Sequence, residues 1–111
     1  MAATYTLTDE ELAVTARALE RARTMARAAL AETGADIYLF GSRARGDQRP
    51  MSDIDIAIDS HGAPLASGVL SRLREDYEES NIPFTVDVVD LGQASAALRE
   101  QALAEGIRWT A

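Results

Sequence analysis

Three aspartates and a glycine–serine pair are the residues of this chain best suited to chemistry. Asp53 and Asp55 stand two apart in SDIDIAID, where Ile54, Ile56 and Ile58 alternate with Asp53, Asp55, Ala57 and Asp59. Alternation at period two marks a strand with one apolar side, so Asp53 and Asp55 point the same way with Cα atoms ~6.5–7 Å apart. Two carboxylates at that spacing can converge on a divalent cation, and their hard oxygens suit magnesium or manganese. The competing reading is a strand face turned to water. Asp59 lies ~13 Å along the strand from Asp55, too far to share an ion, and is expected to be an ordinary surface residue.

Asp87 supplies a third carboxylate. It sits in TVDVV between Val86 and Val88, a poor place for an unpaired charge. If its strand pairs with the Asp53 strand in suitable register, Asp87 completes a cluster that requires a cation, and metal-assisted phosphoryl chemistry is the common use of such a cluster. Asp90 is the rival, but an odd offset from Asp87 turns it to the opposite face, so it is expected at a strand end facing solvent. Upstream, Gly41 allows close backbone approach, and the Ser42 hydroxyl with nearby amides can cradle a phosphate. A tight turn with an N-capping serine would look the same. Arg43, Arg45 and Arg49 are surface residues under that second reading; beside a phosphate cradle, a guanidinium matches phosphate geometry. Arg43, adjacent to Ser42, is taken as the nucleotide ligand among them.

The elements that must hold these residues follow from pattern. Thr8 to Glu11 fits a capping box, and Leu12, Ala16, Leu19, Ala26 and Leu30 recur at helical spacing up to Gly34, predicting a long first helix with those residues inward. Ile37–Phe40 reads as a buried strand, Ser42–Gly46 as a turn or short helix, and Gln48–Ser52 as a loop around Pro50. After the Asp53–Asp59 strand, His61–Pro64 breaks the chain. Leu65–Ser80 then reads as an amphipathic helix with Leu65, Val69, Leu73 and Tyr77 on one side. Phe84–Leu91 is β-branched enough for a third strand. Ala94–Glu105 is a last helix stopped by Gly106, and Ile107–Thr110 a short edge strand. The fold class is α/β (α+β): a small mixed sheet backed by helices, in a single domain spanning 1–111.

Composition narrows the partners. Apolar residues make up 47% of the chain, which predicts a packed core rather than disorder. No apolar run approaches the ~20 residues of a membrane span, and MAATYTLTDEEL has no basic leader or apolar h-region, so the expected address is cytoplasmic. The net charge of −7 argues against direct binding to long nucleic acid, where phosphate neutralisation dominates. Cysteine and lysine are absent, and all eleven cationic side chains are arginine. Arg17, Arg21, Arg23 and Arg27 form either a solvated helix face or a docking surface. His61, the one histidine, is expected to face solvent from its loop, and Trp109 to pack rather than stack on a base.

Gly41-Ser42-Arg43-Ala44-Arg45-Gly46, five residues, then Ser52-Asp53-Ile54-Asp55 resembles the signature of the minimal nucleotidyltransferases of the DNA polymerase beta-like superfamily. Val86-Asp87-Val88-Val89-Asp90 looks like that family's third-aspartate strand, and the order of helices and strands agrees along nearly the whole chain. The resemblance implies two magnesium ions and ATP as substrate. Asp53 and Asp55 would bridge both ions, and Asp87 would bind the catalytic ion and help activate an acceptor hydroxyl. Gly41 and Ser42 would hold the outer phosphates. It also implies a partner, a helical toxin of the HEPN class (higher eukaryotes and prokaryotes nucleotide-binding). As antitoxin of a type VII pair, the chain would adenylylate a tyrosine of that RNase. Two alternatives stay open: an antitoxin that neutralises by contact without catalysis, and nucleotidyl transfer to a small molecule.

Overall fold

The centre of the molecule is the strand in which isoleucine takes every second place. In the computed structural model, which describes residues 7–110, Ile54–Asp59 forms β2, with Ile54, Ile56 and Ile58 completely buried. Each contributes roughly 1.5–3 kcal/mol by leaving water. The N-terminal residues read for a leader, 1–6, lie outside the described residues. Asp36–Phe40 (β1) pairs antiparallel with β2, Val86–Asp90 (β3) pairs parallel with it, and Ile107–Arg108 (β4) pairs antiparallel with β1. The sheet order is β3-β2-β1-β4. It is the mixed sheet backed by helices that the pattern predicted.

Parallel neighbours need a crossover, and the helix Val69–Glu79 (α3) provides it between β2 and β3. With the long helix Asp9–Ala29 (α1), it covers the isoleucine face: Ala18, Ala22, Ala26, Leu73 and Tyr77 join Ile37, Leu39, Ile56 and Val88 in one buried cluster. Trp109 is buried there too, packing as expected. The helix Ala96–Glu105 (α4), capped by Ser95, lies on the opposite face, where Ala102 and Leu98 meet Phe40, Ala57 and Val89.

Three sequence expectations change here. Leu12 is 48% exposed and Ala16 is also exposed; the buried stripe of α1 is Thr15, Ala18, Ala22 and Ala26, small residues that admit the sheet closely. Leu65 precedes α3, whose inward row is Val69, Leu73 and Tyr77. The third strand is shorter than its β-branched run, because Phe84 belongs to the loop ahead of β3. Among the described residues, no helix is long and apolar enough to cross a membrane.

Candidate active site

The site begins where β1 ends. Phe40 is the antiparallel partner of Asp55, and the next residue, Gly41, has φ 76° and ψ −158°, a conformation essentially reserved for glycine. A Cβ built there would overlap the Asp55 carboxylate, so the missing side chain is what lets this backbone pass against Asp55. Ser42–Arg45 then forms a single helical turn (α2), closed by Gly46 in the left-handed conformation. Ser42 is half-buried, and its hydroxyl has no hydrogen-bond partner among the described residues.

The parallel register sets Asp87 directly beside Asp55. Asp53 lies one residue ahead of β2 and is exposed, as is Asp87, whereas Asp55 is half-buried. Burial raises the Asp55 carboxyl above its ordinary value, and the neighbouring charges of Asp87 and Asp53 push it the same way; Arg45 and Arg43 pull against them. The three acids that pattern singled out are therefore electrostatic neighbours around Asp55.

Among the described residues, no three acidic or histidine side chains are drawn together as a complete metal cage. Magnesium does not require one, since it is usually held by one or two carboxylates with substrate phosphates and water completing the shell. An all-oxygen acidic donor set, with Asp55 under unfavourable charge from burial and its acidic neighbours, fits such an ion.

Arg43 is engaged within the protein: it is 6% exposed, Nε and Nη2 both donate to the Ser52 carbonyl at 3.0 and 2.7 Å, and the guanidinium lies 4.3 Å from the Phe84 ring centroid. Burial lowers its pKa, while Asp53 and Asp55 favour its charge. An arginine next to a Gly-Ser turn reads as a phosphate ligand in sequence; its true partners are 9 and 41 positions away and leave no local signal. Arg45 pairs with Asp47 and Glu105, and the Arg49 main chain donates to the Ser52 hydroxyl.

Asp59 is corrected, being buried rather than solvent-facing. It accepts from the His61 amide at 3.0 Å and lies 3.7 Å from Arg99 of α4. Asp90 is half-buried and accepts from the Gly92 amide, closing the turn after β3. His61 is exposed, yet its Nε2 lies 2.8 Å from Asp36. That Asp36 is a hub, bound also by Arg108 and Thr110, went unread in the sequence. The four α1 arginines have no ion-pair partner among the described residues. A cleft of about 850 Å³ lies at the far ends of β2 and β3, lined by residues such as Ser60, Leu70, Asp90 and Leu98. A smaller one of about 610 Å³ runs along β3 past Asp87.

The chain resembles known proteins in sequence and in fold. The family model described as "Polymerase beta, Nucleotidyltransferase" matches residues 32–109, a span that contains every candidate site residue. The chain is 39% identical over 64 residues to "Probable protein adenylyltransferase MntA" of Haemophilus influenzae, covering 58% of this chain and 55% of that protein. It is 39% identical over 74 residues to "Protein adenylyltransferase MntA" of Shewanella oneidensis, covering 63% of this chain and 49% of that protein. It thus spans about half the length of the curated relatives it matches. Among solved structures, a toxin–antitoxin crystallised with AMP-PNP superposes with TM-score 0.61 at 30% identity, over 79% of this chain and 72% of that one.

Proposed function

The chain belongs to the polymerase beta nucleotidyltransferase family, and from that premise we propose that it transfers AMP from ATP to a hydroxyl, a tyrosine of a HEPN-class RNase toxin, and so acts as an antitoxin in the cytoplasm. The observation that carries this reading is the parallel register that sets Asp87 against Asp55, with Gly41 closing on Asp55 from the other side. Similarity to proteins named as adenylyltransferases, and to a toxin–antitoxin holding an ATP analogue, supports the substrate and the partner.

In this reading Asp53, Asp55 and Asp87 would hold two magnesium ions, which would supply neutralisation of phosphate charge and stabilisation of the attacking and leaving oxygens. The chain's own contribution is placement. Gly41 lets the main chain pass against Asp55, and the outer phosphates lie next to the Ser42 hydroxyl, which has no partner among the described residues. Asp87, exposed at the open edge strand, is the carboxylate an acceptor hydroxyl reaches from solvent, and it accepts that hydroxyl's proton. The α-phosphate then forms its bond to the acceptor oxygen as pyrophosphate leaves.

The test is incubation with α-labelled ATP, magnesium and the toxin partner. Label is expected on the partner with the wild-type chain, and none with Asp53→Asn or Asp87→Asn. Protection of cells by those same variants, with an unlabelled partner, would instead establish neutralisation by contact. Label on a soluble hydroxylated compound and not on the protein would establish small-molecule transfer.

A further inference from the structure

Arg43 joins every segment that brings a candidate ligand to the site. Its own main chain follows Ser42 in α2. Its guanidinium grips the carbonyl of Ser52, the residue before Asp53, through two nitrogens. Its guanidinium carbon lies over the ring of Phe84, two residues before the start of β3. Because β2 and β3 are parallel, both strands begin on the same side of the sheet, and Arg43 stands where they begin.

We propose that Arg43 is a positioning residue for the metal-binding aspartates, locking Asp53 and Asp87 in place relative to the Gly41–Ser42 turn rather than binding the nucleotide. The inference rests on the nucleotidyltransferase reading given above. Two donors on one carbonyl set an angle as well as a distance, and a planar guanidinium can stack on an aromatic ring; lysine supplies the charge but neither the fork nor the plane. The arrangement is a poor choice for packing alone. Nη1 is buried with no hydrogen-bond partner among the described residues, and leaving a buried donor unpaired costs free energy. A guanidinium kept at that disadvantage, beneath Asp53 and Asp55, is accounted for by the ligands it orients. Phe84 has a share in the same task.

Manganese binding, followed by electron paramagnetic resonance in the presence of a non-hydrolysable ATP analogue, reads this role without turnover. Arg43→Lys and Arg43→Met are both expected to weaken manganese binding about 10- to 100-fold, as loss of outer-shell support typically does. In Arg43→Met metal-free nucleotide affinity should be unchanged, and kcat should fall at constant KM for ATP. Phe84→Leu, which keeps an apolar filler but removes the ring face, should reproduce a smaller loss, and it carries the test if Arg43→Met does not fold. Manganese affinity at the wild-type level in Arg43→Lys would overturn positioning, as would a loss of metal-free nucleotide affinity in Arg43→Met. If wild type binds manganese, Asp53→Asn does not, and the Arg43 and Phe84 variants bind like wild type, the enzyme reading stands and the positioning role falls. If wild type binds no manganese, both fall.

Discussion

Asp55 is a residue under opposed demands. Its carboxylate is half-buried, beside Asp87 in register and near Asp53, and its pKa is raised by burial and by both neighbours. No hydrogen bond inside the protein offsets that cost among the described residues. Asp55→Asn is therefore expected to raise the melting temperature of the metal-free protein while cutting nucleotide transfer by at least about 100-fold, the upper end of what losing mere outer support costs. A lowered melting temperature would show that Asp55 is a structural anchor instead. Gly41→Ala should do harm in both respects: the glycine-only backbone costs about 1–3 kcal/mol for any other residue, and the new Cβ displaces Asp55. Thermal melts with and without magnesium measure both. At this scale the motif was legible because its members are close in sequence or regular in period. The contacts of Arg43 were not legible, because Ser52 and Phe84 come to it only through the fold.

The elements were legible where one face is apolar and ambiguous where alanine dominates. Ile54, Ile56 and Ile58 could only be one side of a strand. In α1, alanine recurs on most faces: Leu19, Ala26 and Leu30 of the predicted stripe do meet the core, whereas Leu12 and Ala16 are exposed and Thr15, Ala18 and Ala22 take the inward places. The structure buries Ala18 and leaves Ala22 and Ala26 with no exposure at all, since small side chains bring the helix axis close to the sheet and let the Tyr77 hydroxyl donate to the Ala22 carbonyl at 2.6 Å. Two leucine substitutions separate the two faces. Ala22→Leu overpacks the contact and should cost about 1–3 kcal/mol. Ala16→Leu should change stability by no more than about 0.5 kcal/mol, as surface substitutions do. Urea unfolding of the pair decides it; equal effects would mean the helix faces are assigned wrongly.

Across the whole molecule, one sheet face carries opposite arrangements at its two ends, with α4 over its middle. At one end stand Asp53, Asp55 and Asp87 around a carboxylate whose pKa is raised. At the other, Asp36 and Asp59 are cross-strand partners enclosed by Arg99, Arg108, His61 and Thr110. There Thr110 foremost holds the Asp36 carboxyl below its ordinary value, helped by Arg108 and His61 against the opposing effect of burial. The pattern in the sequence showed acids at both ends of the strand; only the fold shows that one set is satisfied and the other is not. The two ends must respond to acid with opposite sign. A lowered pKa contributes stability above the unfolded value, near 4 for an aspartate, and that stability is lost as pH falls through the folded value. A raised pKa contributes stability at low pH and loses it as pH rises through the folded value. At pH 7, metal-free Asp36→Asn should therefore lie below wild type by about 1.5–3 kcal/mol, the worth of hydrogen bonds to a charged group, and Asp55→Asn above it. On acidification Asp55→Asn should converge on wild type first, as pH falls through the raised Asp55 value, and Asp36→Asn only below the ordinary carboxylate range. Denaturant unfolding of the three proteins from pH 7 to pH 3 measures both limbs. If both variants fall on the same side of wild type at pH 7, the division of this face into a satisfied end and a strained end is wrong.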